Sequence, residues 1–188
     1  ARSREALRRL ILDFQDCLTA AERCRKPVIA AIQGGCIGGA LDLVTACDLR
    51  YAADGAVFSV REIDIGMVAD VGTLQRLPRL VGEGMARELA YTGRNFDAAE
   101  ATRLGLVNRV FASPEALTAG VRELAQAIAA KSPLAMRGLK EVMNFSRDHS
   151  VADGLNFVAT WNAAMLLSAD LNESIAAQQE RRAPKFSD

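Results

Sequence analysis

Val28-Ile29-Ala30-Ala31-Ile32-Gln33-Gly34-Gly35-Cys36-Ile37-Gly38-Gly39-Ala40-Leu41-Asp42-Leu43-Val44-Thr45-Ala46-Cys47 is the stretch on which the fold turns. Val28 to Ile32 is apolar, rich in β-branched residues, and bounded by Pro27 before and glycines after, which predicts a short buried parallel strand. Gly34 to Ala40 reads as a glycine loop and Leu41 to Cys47 as a helix, so the pattern is strand, loop, helix, and the class α/β. Glycines at such a junction let a ligand approach the backbone, and the first N–H groups of the helix face outward with the positive end of its dipole behind them. Such a place holds an anion. The run is neither GxGxxG nor GxxxxGK[ST], which disfavours nucleotide binding through those motifs. The alternative is a developing oxyanion, for example a thioester enolate, stabilised by the Gly39 N–H; one such donor is typically worth about 3 kcal/mol.

Upstream, Leu7, Leu10, Ile11, Phe14 and Leu18 recur at helical spacing, predicting an amphipathic helix from about Ser3 to Cys24 that Pro27 stops. Downstream, Asp48 to Ala52 and Ala56 to Val60 read as strands around an Asp54-Gly55 turn, and Ile63 to Gly66 leads into a loop. Helices are then expected at Thr73–Val81, Gly84–Tyr91 and Asp97–Leu104, a strand at Leu106–Phe111, and long helices from Pro114, Pro133, Val151 and about Ala169, with Thr73, Asp97 and Ser132 as caps. The change of character near Ala112 divides the chain into an α/β part, residues 1–112, and a helical part, residues 113–188.

The 188 residues are half hydrophobic and 24% charged, with 23 Lys+Arg against 23 Asp+Glu, enough for one ordinary globular domain and too apolar for disorder. Zero net charge offers nothing to a phosphate backbone or an anionic lipid, so neither nucleic acid nor membrane is expected as a partner. No clean apolar span and no secretory leader are visible, and Cys17, Cys24, Cys36 and Cys47 form no CxxC pair; an intracellular chain with reduced cysteines used for packing is expected. With His149 the only histidine, neither a Cys/His zinc cluster nor a two-histidine metal site can be assembled, so carboxylates must carry any chemistry.

Three acids follow the loop: Asp42 on the new helix, Glu62 after the second strand pair, and Asp70 within Met67-Val68-Ala69-Asp70-Val71-Gly72. Apolar neighbours lead us to expect Asp42 and Asp70 to be partly buried, where a carboxylate becomes a usable acid or base. Helix-dipole and turn roles explain those two equally well, and by spacing alone Glu62 is no more than a solvated strand end.

The ordered series Lys26-Pro27-Val28-Ile29-Ala30-Ala31-Ile32-x-Gly34-x-x-x-Gly38-Gly39, Cys47-Asp48-x-Arg50, Gly72-Thr73-Leu74-Gln75-Arg76-Leu77-Pro78, Tyr91-Thr92-Gly93-Arg94, Ala98-x-Glu100-Ala101, Gly105-Leu106-Val107-Asn108-Arg109-Val110, Lys131-Ser132-Pro133 and Ala183-Pro184-Lys185-Phe186 resembles the crotonase (enoyl-CoA hydratase/isomerase) superfamily. The resemblance runs over essentially the whole chain. Within the superfamily, Asp42, Glu62, Ala69-Asp70-Val71-Gly72-Thr73 and Ser146-Arg147-Asp148-His149-Ser150-Val151 resemble the Δ3,5-Δ2,4-dienoyl-CoA isomerases, whereas hydratases typically carry glycine at the position of Asp70.

The resemblance implies a ββα spiral with a C-terminal helical trimerisation region, assembling as trimers or dimers of trimers. It implies an acyl-CoA thioester substrate in fatty acid β-oxidation and no cofactor or metal beyond the CoA that the substrate carries. Glu62 and Asp70 become the proton-transferring carboxylates, Asp42 a third acid in the acyl pocket, and Gly34, Gly38 and Gly39 the oxyanion and substrate-binding glycines, with Gly39 donating. His149 is then a hydrogen-bonding or interface residue, and Phe157, Trp161 and Met165 are core or subunit contacts. The compartment expected is cytoplasmic in a bacterium, mitochondrial or peroxisomal in a eukaryote; the Phe186-Ser187-Asp188 end is not a peroxisomal SKL address.

Two departures stand out. Ala40 replaces a usual third glycine, and the family's upstream spiral turns, with the Ala-Gly-x-Asp-Leu loop and its second oxyanion N–H, have no counterpart before Ala1. The chain is thus expected to correspond to the C-terminal two-thirds of a family member. The rival readings are an enoyl-CoA hydratase, in which Asp42 and Glu62 hold a water, and a CoA-binding scaffold without turnover; RNA binding finds no support in the charge.

Overall fold

The computed structural model describes residues 3–186, so Ala1-Arg2 and the Ser187-Asp188 end lie outside the described residues. The polypeptide packs into two units: residues 1–24 with 28–123, and residues 25–27 with 124–188.

In the first unit, helix α1 (Arg4–Arg23) is capped by the Ser3 side chain, which accepts from the Ala6 N–H, and it ends before Pro27 rather than at it. Strands β1 (Ile29–Ile32) and β2 (Gly35–Ile37) follow, then α2 (Gly39–Ala46), β3 (Leu49–Ala53) and β4 (Val57–Ser59). β1 pairs in parallel with β3, and β2 in parallel with β4. Each ββα turn therefore adds one strand to each of two sheets, the arrangement expected of the crotonase spiral. Parallel neighbours require a long crossover, and β2 with α2 supplies it between β1 and β3.

One expectation is corrected here. The glycine loop contains a strand, β2, because the chain at Gly34 turns a corner whose carbonyl accepts from the Val57 N–H at 2.9 Å. The Asp54-Gly55 turn lies between two strands as expected and makes the equivalent corner one turn of the spiral later, so β3 and β4 belong to different sheets.

After a 3-10 turn at Glu62–Ile65 come α3 (Thr73–Val81), α4 (Glu83–Thr92), β5 (Phe96–Asp97), α5 (Ala98–Arg103), β6 (Arg109–Phe111) and α6 (Pro114–Ala129). β5 runs antiparallel to β4, and β6 extends the first sheet in parallel beside β3. The Leu106–Phe111 strand is shortened at its start because the Leu106 and Val107 N–H groups are taken by the Ala101 carbonyl. Asp97 caps α5 as expected, but Thr73 is not a cap: Gly72 holds that position and Asp42 supplies the acceptor.

The core between the sheets and helices is built on Ile32, Leu41, Phe58, Leu77, Leu89, Phe96 and Leu106, with the Phe58 and Phe96 rings stacked at 5.4 Å. Phe58 is 0% exposed, so Phe58→Ala is expected to cost about 3–5 kcal/mol of unfolding free energy in urea titration. Several family-type residues serve as internal ties. Arg50, itself buried, donates to the Leu106 carbonyl at 2.7 Å and to the Cys47 carbonyl at the end of α2 at 2.6 Å. Asp48 accepts from the Val28 N–H, and Arg94 pairs with Glu100 at 2.7 Å. Cys36 and Cys47 are buried, and burial pushes the Cys36 thiol up to about 12; Cys17 and Cys24, expected as packing residues, are exposed on and beside α1.

In the second unit, α7 (Pro133–Ser146), α8 (Val151–Met165) and α9 (Ala169–Gln179) follow. Ser132 caps α7 and also donates to Asp170, and Ser150 with Asp153 forms a capping box for α8. Phe145 stacks on Phe157 at 4.3 Å and on His149 at 3.8 Å, and Trp161 packs over Gly138. Met165 is 40% exposed, and Leu139, Met143, Val151, Leu155 and Leu167 are exposed as well. Among the described residues no helix is long and apolar enough to cross a membrane.

Candidate active site

A cavity of about 530 Å³ in the first unit is lined by Gly38, Gly39, Asp42, Glu62 and Asp70, with Phe14 and Leu18 of α1, Ile37, Arg61, Ile65, Met67 and Val71 completing its walls. Five of the six site residues expected from sequence therefore share one cavity. Gly34 does not line it and stands at the corner between β1 and β2.

Gly38 is the hinge of the site. Its φ of 57° and ψ of −122° suit only glycine, and a Cβ there would lie 3.0 Å from Glu62 Oε1. The turn lets the Gly38 N–H donate to the Ser59 carbonyl while its own carbonyl accepts from Leu41 and Asp42, opening α2. Gly39 is then the first residue of α2, so its N–H has no acceptor within the helix and is available to the cavity that the residue lines. Gly38→Ala is expected to cost about 1–3 kcal/mol of stability, measured by urea unfolding, from backbone strain together with the contact on Glu62.

Asp42 is only 1% exposed. Its Oδ1 accepts from the Thr73 N–H at 2.6 Å, which ties α2 to the start of α3 and fixes the end of the Asp70 loop. Glu62 opens the 3-10 turn after β4 and is half-buried. Burial pushes its carboxyl above the ordinary carboxylate range, with the nearby charges of Asp42 and Asp70 adding in the same direction. The adjacent guanidinium of Arg61 gives no relief, being held by Ser59, Asn95 and Asp64. Asp70 is half-buried on the loop before α3, and its carboxylate has no hydrogen-bond partner among the described residues.

Folded proteins pair nearly all their buried polar atoms. Among the described residues, the buried side-chain atoms left without a partner are Asp42 Oδ2 and Glu62 Oε2, both on residues that line this cavity, and Oγ1 of Thr73, whose N–H donates to Asp42. Such a concentration marks a place kept for a ligand or a proton rather than for stability. The arrangement has one backbone donor suited to an oxyanion, carboxylates that can give and take protons, and walls that are apolar apart from Arg61.

Sequence reasoning alone did not bring the walls into the site. Phe14 and Leu18 were visible only as the apolar stripe of α1, and nothing local indicated that the stripe faces the acids. Gln15, whose Nε2 donates to the Asp70 carbonyl at 2.6 Å, carried no signal at all.

The family model described as Enoyl-CoA hydratase/isomerase matches residues 4–188. The chain belongs to the enoyl-CoA hydratase/isomerase family. This family member is 56% identical over 185 residues to the peroxisomal Delta(3,5)-Delta(2,4)-dienoyl-CoA isomerase of Arabidopsis thaliana, a match covering 98% of the chain and 66% of that protein. It is 50% identical over 177 residues to the human mitochondrial Delta(3,5)-Delta(2,4)-dienoyl-CoA isomerase, covering 94% of the chain and 54% of that protein. The chain thus spans between about half and two thirds of the length of these relatives. Among solved structures, an enoyl-CoA hydratase from Bacillus anthracis superposes with a TM-score of 0.93 at 33% identity, covering 99% of this chain and 72% of that one. The spiral and its helical C-terminal part are therefore those of the family.

Proposed function

We propose that this site converts 3,5-dienoyl-CoA thioesters into 2,4-dienoyl-CoA thioesters by proton transfer through an enolate, with no cofactor beyond the CoA of the substrate. The observation that carries the reading is that Glu62 and Asp70, neither with an ion-pair partner among the described residues, line one largely apolar cavity together with Gly39. The names of the two dienoyl-CoA isomerases to which the chain is similar weigh in the same direction.

The chemistry follows from the placement. The thioester oxygen on C1 accepts from the Gly39 N–H. Glu62 lies against the Gly38 turn next to that donor, so it faces C2, the carbon bonded to C1. It takes a proton from C2, and the electron pair of the broken C–H bond delocalises into an enolate conjugated with both double bonds. Asp70, on the separate loop before α3, delivers a proton to C6. The C5=C6 pair forms the new C6–H bond, the C3=C4 pair moves to C4–C5, and the C1=C2 pair of the enolate moves to C2–C3 as the C1 carbonyl re-forms. The mainly apolar walls lower the polarity around the thioester, which strengthens the hydrogen bond to the developing oxyanion. Asp42 contributes charge beside Glu62 and holds the start of α3. The exposed apolar side chains of α7 and α8 support self-association as a trimer or a pair of trimers.

The test is to supply a 3,5-dienoyl-CoA and follow the absorbance of the conjugated 2,4-dienoyl thioester. A rise proportional to protein is expected. Hydration of a 2-enoyl-CoA without any diene signal would instead select the hydratase, and thioester binding without product the scaffold.

A further inference from the structure

The geometry points to Gln15, on α1, as a positioning residue that aims the Asp70 carboxylate; this deepens the proposed isomerase reading and rests on it.

The loop that carries Asp70 is pinned at its two ends. The Met67 N–H donates to the Glu62 carbonyl at 3.0 Å, and the Thr73 N–H donates to Asp42 at 2.6 Å. Between them, among the described residues, the stretch 68–71 has a single hydrogen bond, from Gln15 Nε2 to the Asp70 carbonyl at 2.6 Å. Packing holds the stretch only at Ala69, which is buried in the core, whereas Val68 is 73% exposed and the preceding Met67 47%. It runs into Gly72, whose φ of 133° lies where backbone is least restrained by side-chain sterics. Anchoring the Asp70 carbonyl restrains ψ of Asp70 and the orientation of the Asp70–Val71 peptide, and with them the range of directions in which the Cα–Cβ bond and the carboxylate can point. An unanchored Asp70–Val71 peptide would be free to rotate and swing the carboxylate out of reach of C6.

Gln15 is half-buried and does not line the cavity, while Phe14 beside it does. α1 is tied to α3 elsewhere by Arg76, which pairs with Glu22 at 2.8 Å and donates to Thr19 at 3.0 Å. Docking of α1 and aiming of Asp70 are therefore separable by mutation.

Gln15→Met keeps the length and removes the donor. Against 3,5-dienoyl-CoA it is expected to lower kcat by about tenfold to a hundredfold, as misplacement of a reacting group does, with KM within about twofold of wild type. The solvent deuterium isotope effect on kcat should rise, because delivery of the exchangeable Asp70 proton to C6 becomes limiting. Glu22→Gln, which loosens α1 without touching the Asp70 carbonyl, should leave kcat, KM and the isotope effect near wild type; circular dichroism confirms that both variants fold. An unchanged kcat in Gln15→Met, a fall in kcat with no larger solvent isotope effect, or an equal fall in Glu22→Gln would each overturn the inference. A wild type that forms 2,4-diene while Gln15→Met behaves identically overturns the positioning role alone, whereas a wild type that forms none overturns the isomerase reading beneath it.

Discussion

Asp70→Asn is expected to remove conversion of 3,5-dienoyl-CoA to the 2,4-diene, a loss of about 10²–10⁴-fold or more in kcat, the range that a positioned general acid supplies. The amide keeps the shape of the side chain but has no proton to give at this step. Since the Asp70 carbonyl, not its carboxylate, makes the hydrogen bond to Gln15, the loop should keep its anchor. KM is expected to stay near wild type, and the urea midpoint likewise, because the carboxylate has no hydrogen-bond partner among the described residues to lose. A variant as active as wild type would remove Asp70 from the proton path and favour hydratase-type chemistry on Asp42 and Glu62.

Glu62→Gln is expected to lose about 10²–10⁴-fold in kcat through the other half of the path. This variant also has a pH signature. Glu62 must be ionised to take the C2 proton, and burial with the nearby Asp42 and Asp70 charges holds its carboxyl above the ordinary carboxylate range. The wild-type rate should therefore fall on acidification through an apparent value above that range, and the residual rate of Glu62→Gln should lack that limb. Stability runs the other way. A carboxyl whose folded-state value is raised binds its proton more tightly in the folded chain, so its favourable contribution is present at low pH and is lost as pH rises through the raised value. Near neutrality Glu62→Gln should be at least as stable as wild type in urea, while being far less active. A marked loss of stability at neutral pH would indicate that Glu62 is a structural residue.

The two expectations are legible in the sequence to different depths. The strand, loop and helix around Gly34 to Asp42 could be read because glycine, proline and β-branched residues act locally, and the helix starts at Thr73, Pro114, Pro133, Val151 and Ala169 were visible for the same reason. The corner at Gly34 that turns a loop into β2 was not, since it depends on Val57 of the next spiral turn. The same holds for Asp42: its local setting left helix-dipole and chemical roles equally open, and only the distant Thr73 N–H and an unpartnered Oδ2 distinguish them. Glu62 looked like a solvated strand end by spacing, yet the 3-10 turn carries it under Gly38. Local signals thus predicted elements, whereas the contacts that make a site are long-range and reached the sequence reading only through resemblance to a family. Gln15 lay beyond both, because an amide on a helix face has no motif.

The central claim is that two carboxylates on one cavity divide the proton traffic, Glu62 at C2 and Asp70 at C6. The most direct measurement is to incubate wild type and Asp70→Asn with 3,5-dienoyl-CoA in D2O and locate deuterium by NMR. Wild type should yield 2,4-diene labelled at C6, and Asp70→Asn should exchange deuterium into C2 of the recovered 3,5-diene while forming almost no product. Formation of C6-labelled 2,4-diene by Asp70→Asn at the wild-type rate would contradict it.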